Sequence, residues 1–288
     1  MDSSDLLKKV RSIEIKTRGL SSHVFSGEYH SAFKGRGMAF SEVREYVPGD
    51  EIKNIDWNVT ARMGHPYVKV FEEERELTVM VLADVSGSGN FGTRRQTKRD
   101  LITELTAMLA FSAIENNDKT GVIFFSNKVE KYIPPKKGRT HILRIVRELI
   151  GFSPASGLTD LNAALEFLNG VQKKRCICFI LSDFQCGPFE TALRIAAQRH
   201  DVVPIRIFDR AEEELPAAGS VLLSDAESGE QRWFNFNRRT RANYRKDRAA
   251  FTERLKAVFT RSGLDYAQIA TDADYVRPLS MLLKRRSK

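Results

Sequence analysis

Between Leu77 and Asp209 the chain alternates short, nearly continuous apolar runs with longer stretches whose apolar residues recur at helical spacing. LTVMVLA (77–83), TGVIFFS (120–126), RCICFILSD (175–183) and VVPIRIFD (202–209) read as buried strands, and KVEKYIPP as a short strand stopped by Pro134 and Pro135. DLITELTAMLAFSAIE (100–115), THILRIVRELIGF (140–152), DLNAALEFLNGV (160–171) and FETALRIAAQRH (189–200) read as helices, the third capped by Thr159 or Asp160. Such alternation predicts an α/β fold: a doubly wound, mostly parallel sheet with helices on both faces.

The flanks differ in kind. Residues 1–76 show little helical pattern beyond the first dozen residues, and Pro48-Gly49-Asp50 and Met63-Gly64-His65-Pro66 are turn signals between short β-forming runs. We therefore expect a small β-rich module over 1–76 ahead of an α/β domain over 77–288. After Asp209 that domain continues with a hairpin turning at Glu227-Ser228-Gly229-Glu230, a helix at 242–262, a strand in LDYAQIA and a final helix ending in basic residues.

The functional signal lies where the first central strand ends, in VLADVSGSGNFG (81–92). Gly87, Gly89 and Gly92 spell GxGxxG, yet three residues separate the strand from the first glycine, and Asp84 at the strand end would repel a pyrophosphate. The second strand ends about forty residues on, without the acid that holds a ribose. Phosphotransfer of the haloacid-dehalogenase type needs a second acid two residues after Asp84, where Ser86 stands.

A third reading treats the loop as a set of hard oxygen donors. Asp84, Ser86 and Ser88 leave one strand end, Asp183 ends another in FILSDF, and Thr159 precedes a helix in SGLTDLNAAL. Ligands of open parallel sheets gather beyond the carboxyl ends of the strands, so all five fall on one edge. Two carboxylates and three hydroxyls suit Mg²⁺, or Mn²⁺, with a position left for an incoming oxygen.

These residues resemble the metal-ion-dependent adhesion site of von Willebrand factor A domains. That resemblance implies a doubly wound α/β fold whose Mg²⁺ is completed by a carboxylate of a bound partner, with Asp84, Ser86, Ser88, Thr159 and Asp183 as the ligand set. GRGMAFSEVREYVPGDEIKNIDWNVTARMGHPYVKVFEEERE, and within it VREYVPGDEIKNIDWNVTARMG, resembles the marker segment of a bacterial family of unknown function, number fifty-eight in its series, encoded beside MoxR-type AAA+ ATPases. YVRPLSMLLKRR is similar to that family's C-terminal end. Membership implies partnership with a MoxR-type ATPase, or with a client protein supplying the acidic residue, in chaperone-like maturation or assembly.

Within the marker, Arg36, Arg44, Lys53, Arg62 and Lys69 alternate with Glu42, Glu45, Asp50, Glu51 and Asp56. We expect a salt-bridged packing element with Trp57 buried; the alternative is a docking face with Trp57 or an arginine as anchor.

A net charge of +9, the run RRTRANYRKDR (238–248) and the terminal KRRSK raise nucleic-acid or anionic-membrane binding as alternatives. No helix-turn-helix, zinc-finger or RRM pattern accompanies them, which disfavours nucleic acid. A metal-dependent hydrolase would need a general base, and His65, His141 and His200 lie in segments with no reason to converge. The expectation is therefore a non-enzymatic interaction protein. Cys176 and Cys178 share one strand face and Cys186 follows in a loop, which reads as buried reduced thiols. No run of about 18 apolar residues exists to cross a bilayer. The N-terminus lacks a signal-peptide pattern, so the expected location is cytoplasmic.

Overall fold

The computed structural model describes residues 3–20, 26–33, 38–73, 76–154, 157–224 and 230–287. Two compact units emerge, one formed by Met1–Ala32 with Leu77–Lys288 and the other by Phe33–Glu76. In chain order the first begins with α1 (Ser3–Leu20) and α2 (Ser26–Phe33), and the smaller unit holds β1 (Met38–Glu45), α3 (Trp57–Met63) and β2 (Tyr67–Glu73). The larger then runs through β3 (Thr78–Asp84), α4 (Lys98–Glu115), β4 (Lys119–Phe125), β5 (Val129–Lys136), α5 (Arg139–Gly151), α6 (Leu161–Val171), β6 (Ile177–Ser182), α7 (Glu190–Arg199) and β7 (Asp201–Phe208). It closes with β8 (Ser220–Ser224), β9 (Gln231–Asn235), α8 (Arg238–Arg261), β10 (Ala267–Ala270) and α9 (Val276–Arg286).

The central six-stranded sheet has the order β10-β7-β6-β3-β4-β5, and every neighbour is parallel except β4 with β5. From β3 the chain first builds outward through β4 and β5, then crosses back to lay β6 on the other side of β3. The winding reverses between β3 and β6, which opens a crevice beyond their carboxyl ends. This is the doubly wound α/β fold expected.

Side-chain alternation splits the core between the two faces. Met80, Leu82, Ile123, Cys178 and Ile180 pack under Leu161, Leu165, Leu168, Leu193, Leu255 and Phe259 of α6, α7 and α8. Cys176 and Cys178 lie together in this cluster, and all three cysteines are free thiols. On the opposite side Val10 and Ile13 of α1 join Ala107, Ala110 and Phe111 of α4 and Ile142 and Val146 of α5.

That second cluster corrects the expected start of the module at residue 1, while its end at Glu76 stands. Val10, Ile13 and Thr17 are buried along one stripe of α1. Lys9 pairs with Asp100 at 2.6 Å, Lys16 with Glu104 at 2.5 Å, and Glu14 with Arg139 at 2.5 Å. The first helix therefore belongs to the α/β unit, and the separate module begins at Phe33.

A second correction concerns β5, which runs through Pro134 and Pro135 to Lys136 instead of stopping before them. It is the edge strand, where a missing N–H leaves no ladder partner unpaired. The pairing slips between Thr120 and Val122, opposite these prolines. β8 and β9 form the expected hairpin; residues 227–229 of its turn lie outside the described residues.

In the smaller unit β1 pairs antiparallel with β2, with a bulge between Phe40 and Glu42. The Asp56 carboxylate caps α3 by accepting from Asn58 and Val59 N–H, and Gly64 ends the helix at φ +76°. Arg44 grips Asp50 bidentately at 2.7 and 2.8 Å, Lys53 pairs with Glu51, and Lys69 with Asp56. Three of the expected ion pairs thus form within this unit, Arg44–Asp50, Lys53–Glu51 and Lys69–Asp56. Trp57, however, is 67% exposed, near Ile52 and Met63 in sequence, which are exposed as well. α3 is seven residues long and buries none of them, so it offers no core to receive an indole.

Candidate metal centre

β3 delivers Asp84 to the crevice, where the residue is 3% exposed. The chain then turns at once: Ser86 N–H donates back to Asp84 Oδ1 at 3.0 Å, and Gly87–Asn90 coil into one 3-10 turn. Ser86 and Ser88 hydroxyls meet at 3.2 Å. From the end of β6, Asp183 accepts the Ser88 hydroxyl on Oδ2 at 2.8 Å and Gln185 N–H on Oδ1 at 3.0 Å. Ser182 donates to Asp84 Oδ2 at 2.6 Å, which links the two strand ends directly.

Thr159 comes from a third segment. It is half-buried, one residue before Asp160, whose carboxylate caps α6 through Asn162 N–H. Two backbone bonds fix this loop: Asp160 N–H donates to Ser126 O at 2.8 Å, and Gly87 N–H donates to Gly157 O at 2.9 Å. The second holds it against the turn that carries Ser86. Asp84, Ser86, Ser88 and Asp183 are thus joined by direct hydrogen bonds, and Thr159 stands on a loop tied to theirs.

Burial, then the neighbouring Asp183 charge, pushes the Asp84 carboxyl up to about 6, against the hydrogen bonds from Ser182 and Ser86. Burial acts on Asp183 in the same direction, but the charge and hydrogen bond of Lys98 outweigh it and hold that carboxyl below the usual range. One carboxylate is neutralised from within the fold, and its neighbour is left resisting ionisation. A divalent cation removes that conflict, and the donors are all oxygen, so these residues fit a hard ion.

Three neighbours carried no sequence signal of their own. Ser182 is one. Lys98 is another, 1% exposed, with Nζ 2.7 Å from Asp183 Oδ2 and 2.6 Å from Glu212 Oε1. Glu212 is the third, following β7 in a short 3-10 turn. The sequence reading starts this helix at Asp100, so only the structure, where α4 opens at Lys98, shows a cation in a helix's first turn against the helix dipole.

The glycines serve the turn, not a phosphate. Gly87 and Gly89 adopt no positive φ, and the next helix, α4, opens only at Lys98. Gly92 is restricted by close approach, because a Cβ there would stand 2.4 Å from Gln96 O and 2.6 Å from Thr97 Cα. Gly92→Ala is expected to lower stability by about 1–3 kcal/mol, read as a fall in urea midpoint at unchanged slope. An unchanged midpoint would show that the loop yields without cost.

Two of the histidines lie at the other edge of the sheet. His141 bonds to Thr120 O near the start of β4, and His200 contacts Cys176 just before β7, both at the strand-start edge of the sheet. Within RRTRANYRKDR, Arg241 donates to Leu215 O, Arg245 pairs with Glu214, and Arg248 reaches Gln185 and Glu213. Half of its six basic residues are engaged within the fold. Among the described residues no group of three His, Cys, Asp or Glu converges, and no helix is long and apolar enough to cross a membrane.

Residues 42–254 match the model of the family described as protein of unknown function DUF58. Uncharacterized protein Rv1480 of Mycobacterium tuberculosis is 30% identical over 292 residues, which cover 100% of this chain and 92% of that one. Among solved structures, the conserved hypothetical protein BatB from Bacteroides thetaiotaomicron is similar at a TM-score of 0.48 and 15% identity, over 73% of this chain and 98% of that one. Proximal thread matrix protein 1 from the mussel byssus, solved with a zinc-occupied MIDAS motif, gives a TM-score of 0.37 and 19% identity over 46% and 38% of the two chains.

Proposed function

The chain belongs to the DUF58 family, and from that premise we propose that it is a non-enzymatic, Mg²⁺- or Mn²⁺-dependent interaction protein whose partner completes the metal centre with an acidic side chain. The fold is consistent with a protein-interaction module. The reading is carried by the convergence of Asp84, Ser86, Ser88 and Asp183 at the crevice between β3 and β6.

When bound, the ion supplies a positive centre with room for one more oxygen ligand. Asp84, Ser86, Ser88 and Thr159 would hold it, and Asp183 would complete the charge, acting directly or through water. Ser182 and Gln185 N–H orient the two carboxylates. Ser86, in place of a second acid, and the position of His141 and His200 at the strand-start edge of the sheet favour binding over hydrolysis. The partner class we propose is a MoxR-type AAA+ ATPase, or a client it acts on, in the cytoplasm.

A pull-down with purified MoxR-type ATPase tests this. Retention is expected in Mg²⁺, and loss is expected in EDTA and with Asp183→Ala. Retention that ignores both would put the interface elsewhere, and Mg²⁺-dependent turnover of phosphate esters lost in Asp183→Ala would replace binding with hydrolysis.

A further inference from the structure

Among the described residues Lys98 is the fully buried cation at this centre, and nothing in the proposed ligand set uses it. Its ammonium touches two carboxylates that are themselves fixed. Asp183 is held by Ser88 and Gln185 N–H, and the other oxygen of Glu212 accepts Asp209 N–H at 3.0 Å. Glu212 is anchored again through its carbonyl, which accepts the Tyr244 hydroxyl at 2.8 Å. These bonds hold both acids beside the ammonium. The nearby Arg99 guanidinium donates instead to the carbonyls of Val85 and Phe152, clamping the loop.

We propose that Lys98 is the resident counter-cation of the centre: it neutralises Asp183 in the metal-free protein, and its charge limits divalent-cation affinity, so that the ion binds reversibly. Glu212 offsets part of the Lys98 charge and so sets how strongly that limit acts. The inference rests on the metal reading above. Physically, the ammonium and the incoming ion draw on one carboxylate, Asp183, in a setting with little water to screen them. At such short range and reduced dielectric, one elementary charge shifts binding by an order of magnitude or more.

The two partners therefore carry opposite expectations. Lys98→Met keeps the apolar stem and removes the charge; it should tighten Mn²⁺ binding by at least about tenfold while lowering the melting temperature of the metal-free protein. Glu212→Gln leaves the Lys98 charge fully directed at Asp183 and should weaken Mn²⁺ binding severalfold. Titration calorimetry or the electron paramagnetic resonance of free Mn²⁺ reads both constants on the full chain.

Unchanged or weaker binding in folded Lys98→Met would overturn the proposal, making Lys98 a support for Asp183 and not a competitor. Should that variant fail to fold without metal, Glu212→Gln decides alone, and unchanged or tighter binding there overturns it. Absence of Mn²⁺ binding by the wild-type chain would instead sink the metal reading itself.

Discussion

Mg²⁺ or Mn²⁺ at about a hundred times its dissociation constant is expected to stabilise the protein by about 2.7 kcal/mol, because the ion binds only the folded state. For a chain of this size that corresponds to a rise of about 4–5 °C in melting temperature. Asp84→Ala together with Ser86→Ala should abolish the rise. The effect should also depend on pH, with a sign fixed by Asp84. Its folded-state value, about 6, lies above the ordinary 3.8. Without an ion its contribution to stability is therefore full below the ordinary value and is lost as pH rises through about 6. The ion requires the ionised form, so the shift should be small near pH 5 and approach its full size above about pH 7. A full shift in the double variant, or one independent of pH, would place the ion away from Asp84.

The strands that carry the site were legible because buried parallel strands write themselves as unbroken apolar runs, and their ends as the first acid after the run. Asp84 and Asp183 needed nothing more. What surrounds them was not legible, since Lys98 meets Asp183 across 85 positions and Glu212 across 114, and no local pattern encodes such pairing. The start of the module, placed at residue 1 and found at Phe33, was missed for a related reason. The stripe of α1 can be seen as amphipathic, but the surface it covers, on α4 and α5, lies about a hundred residues away. Trp57 was misjudged because a large aromatic is ordinarily buried, and that rule presumes an adjoining core that α3 does not have. Of the three glycines in the loop, Gly92 is needed for close packing, whereas Gly87 and Gly89 require no unusual φ.

Phe184→Ala should be among the most damaging single changes near the site, costing about 3–5 kcal/mol. Phe184 is fully buried, its ring stacked edge-on against Phe259 at 5.2 Å and tilted against Phe189 at 5.8 Å. It also stands at φ +57°, a left-handed conformation that costs a side-chain-bearing residue about 1 kcal/mol and costs glycine little. The packing of the ring holds that conformation in place, and the conformation serves the centre. Phe184 N–H donates to Ser182 Oγ at 3.0 Å, and the same hydroxyl donates to Asp84. One buried ring thus fixes the turn that presents Asp183 and orients the hydroxyl that steadies Asp84. Two outcomes follow for urea denaturation and Mn²⁺ titration. Phe184→Ala should lose stability and weaken Mn²⁺ binding together. Phe184→Gly, which leaves a similar cavity but removes the φ cost, should be about 1 kcal/mol less destabilised than Phe184→Ala, the reverse of the usual order of these two residues. A glycine variant weaker than the alanine one would show that the left-handed turn carries no strain, leaving packing alone to hold Asp183.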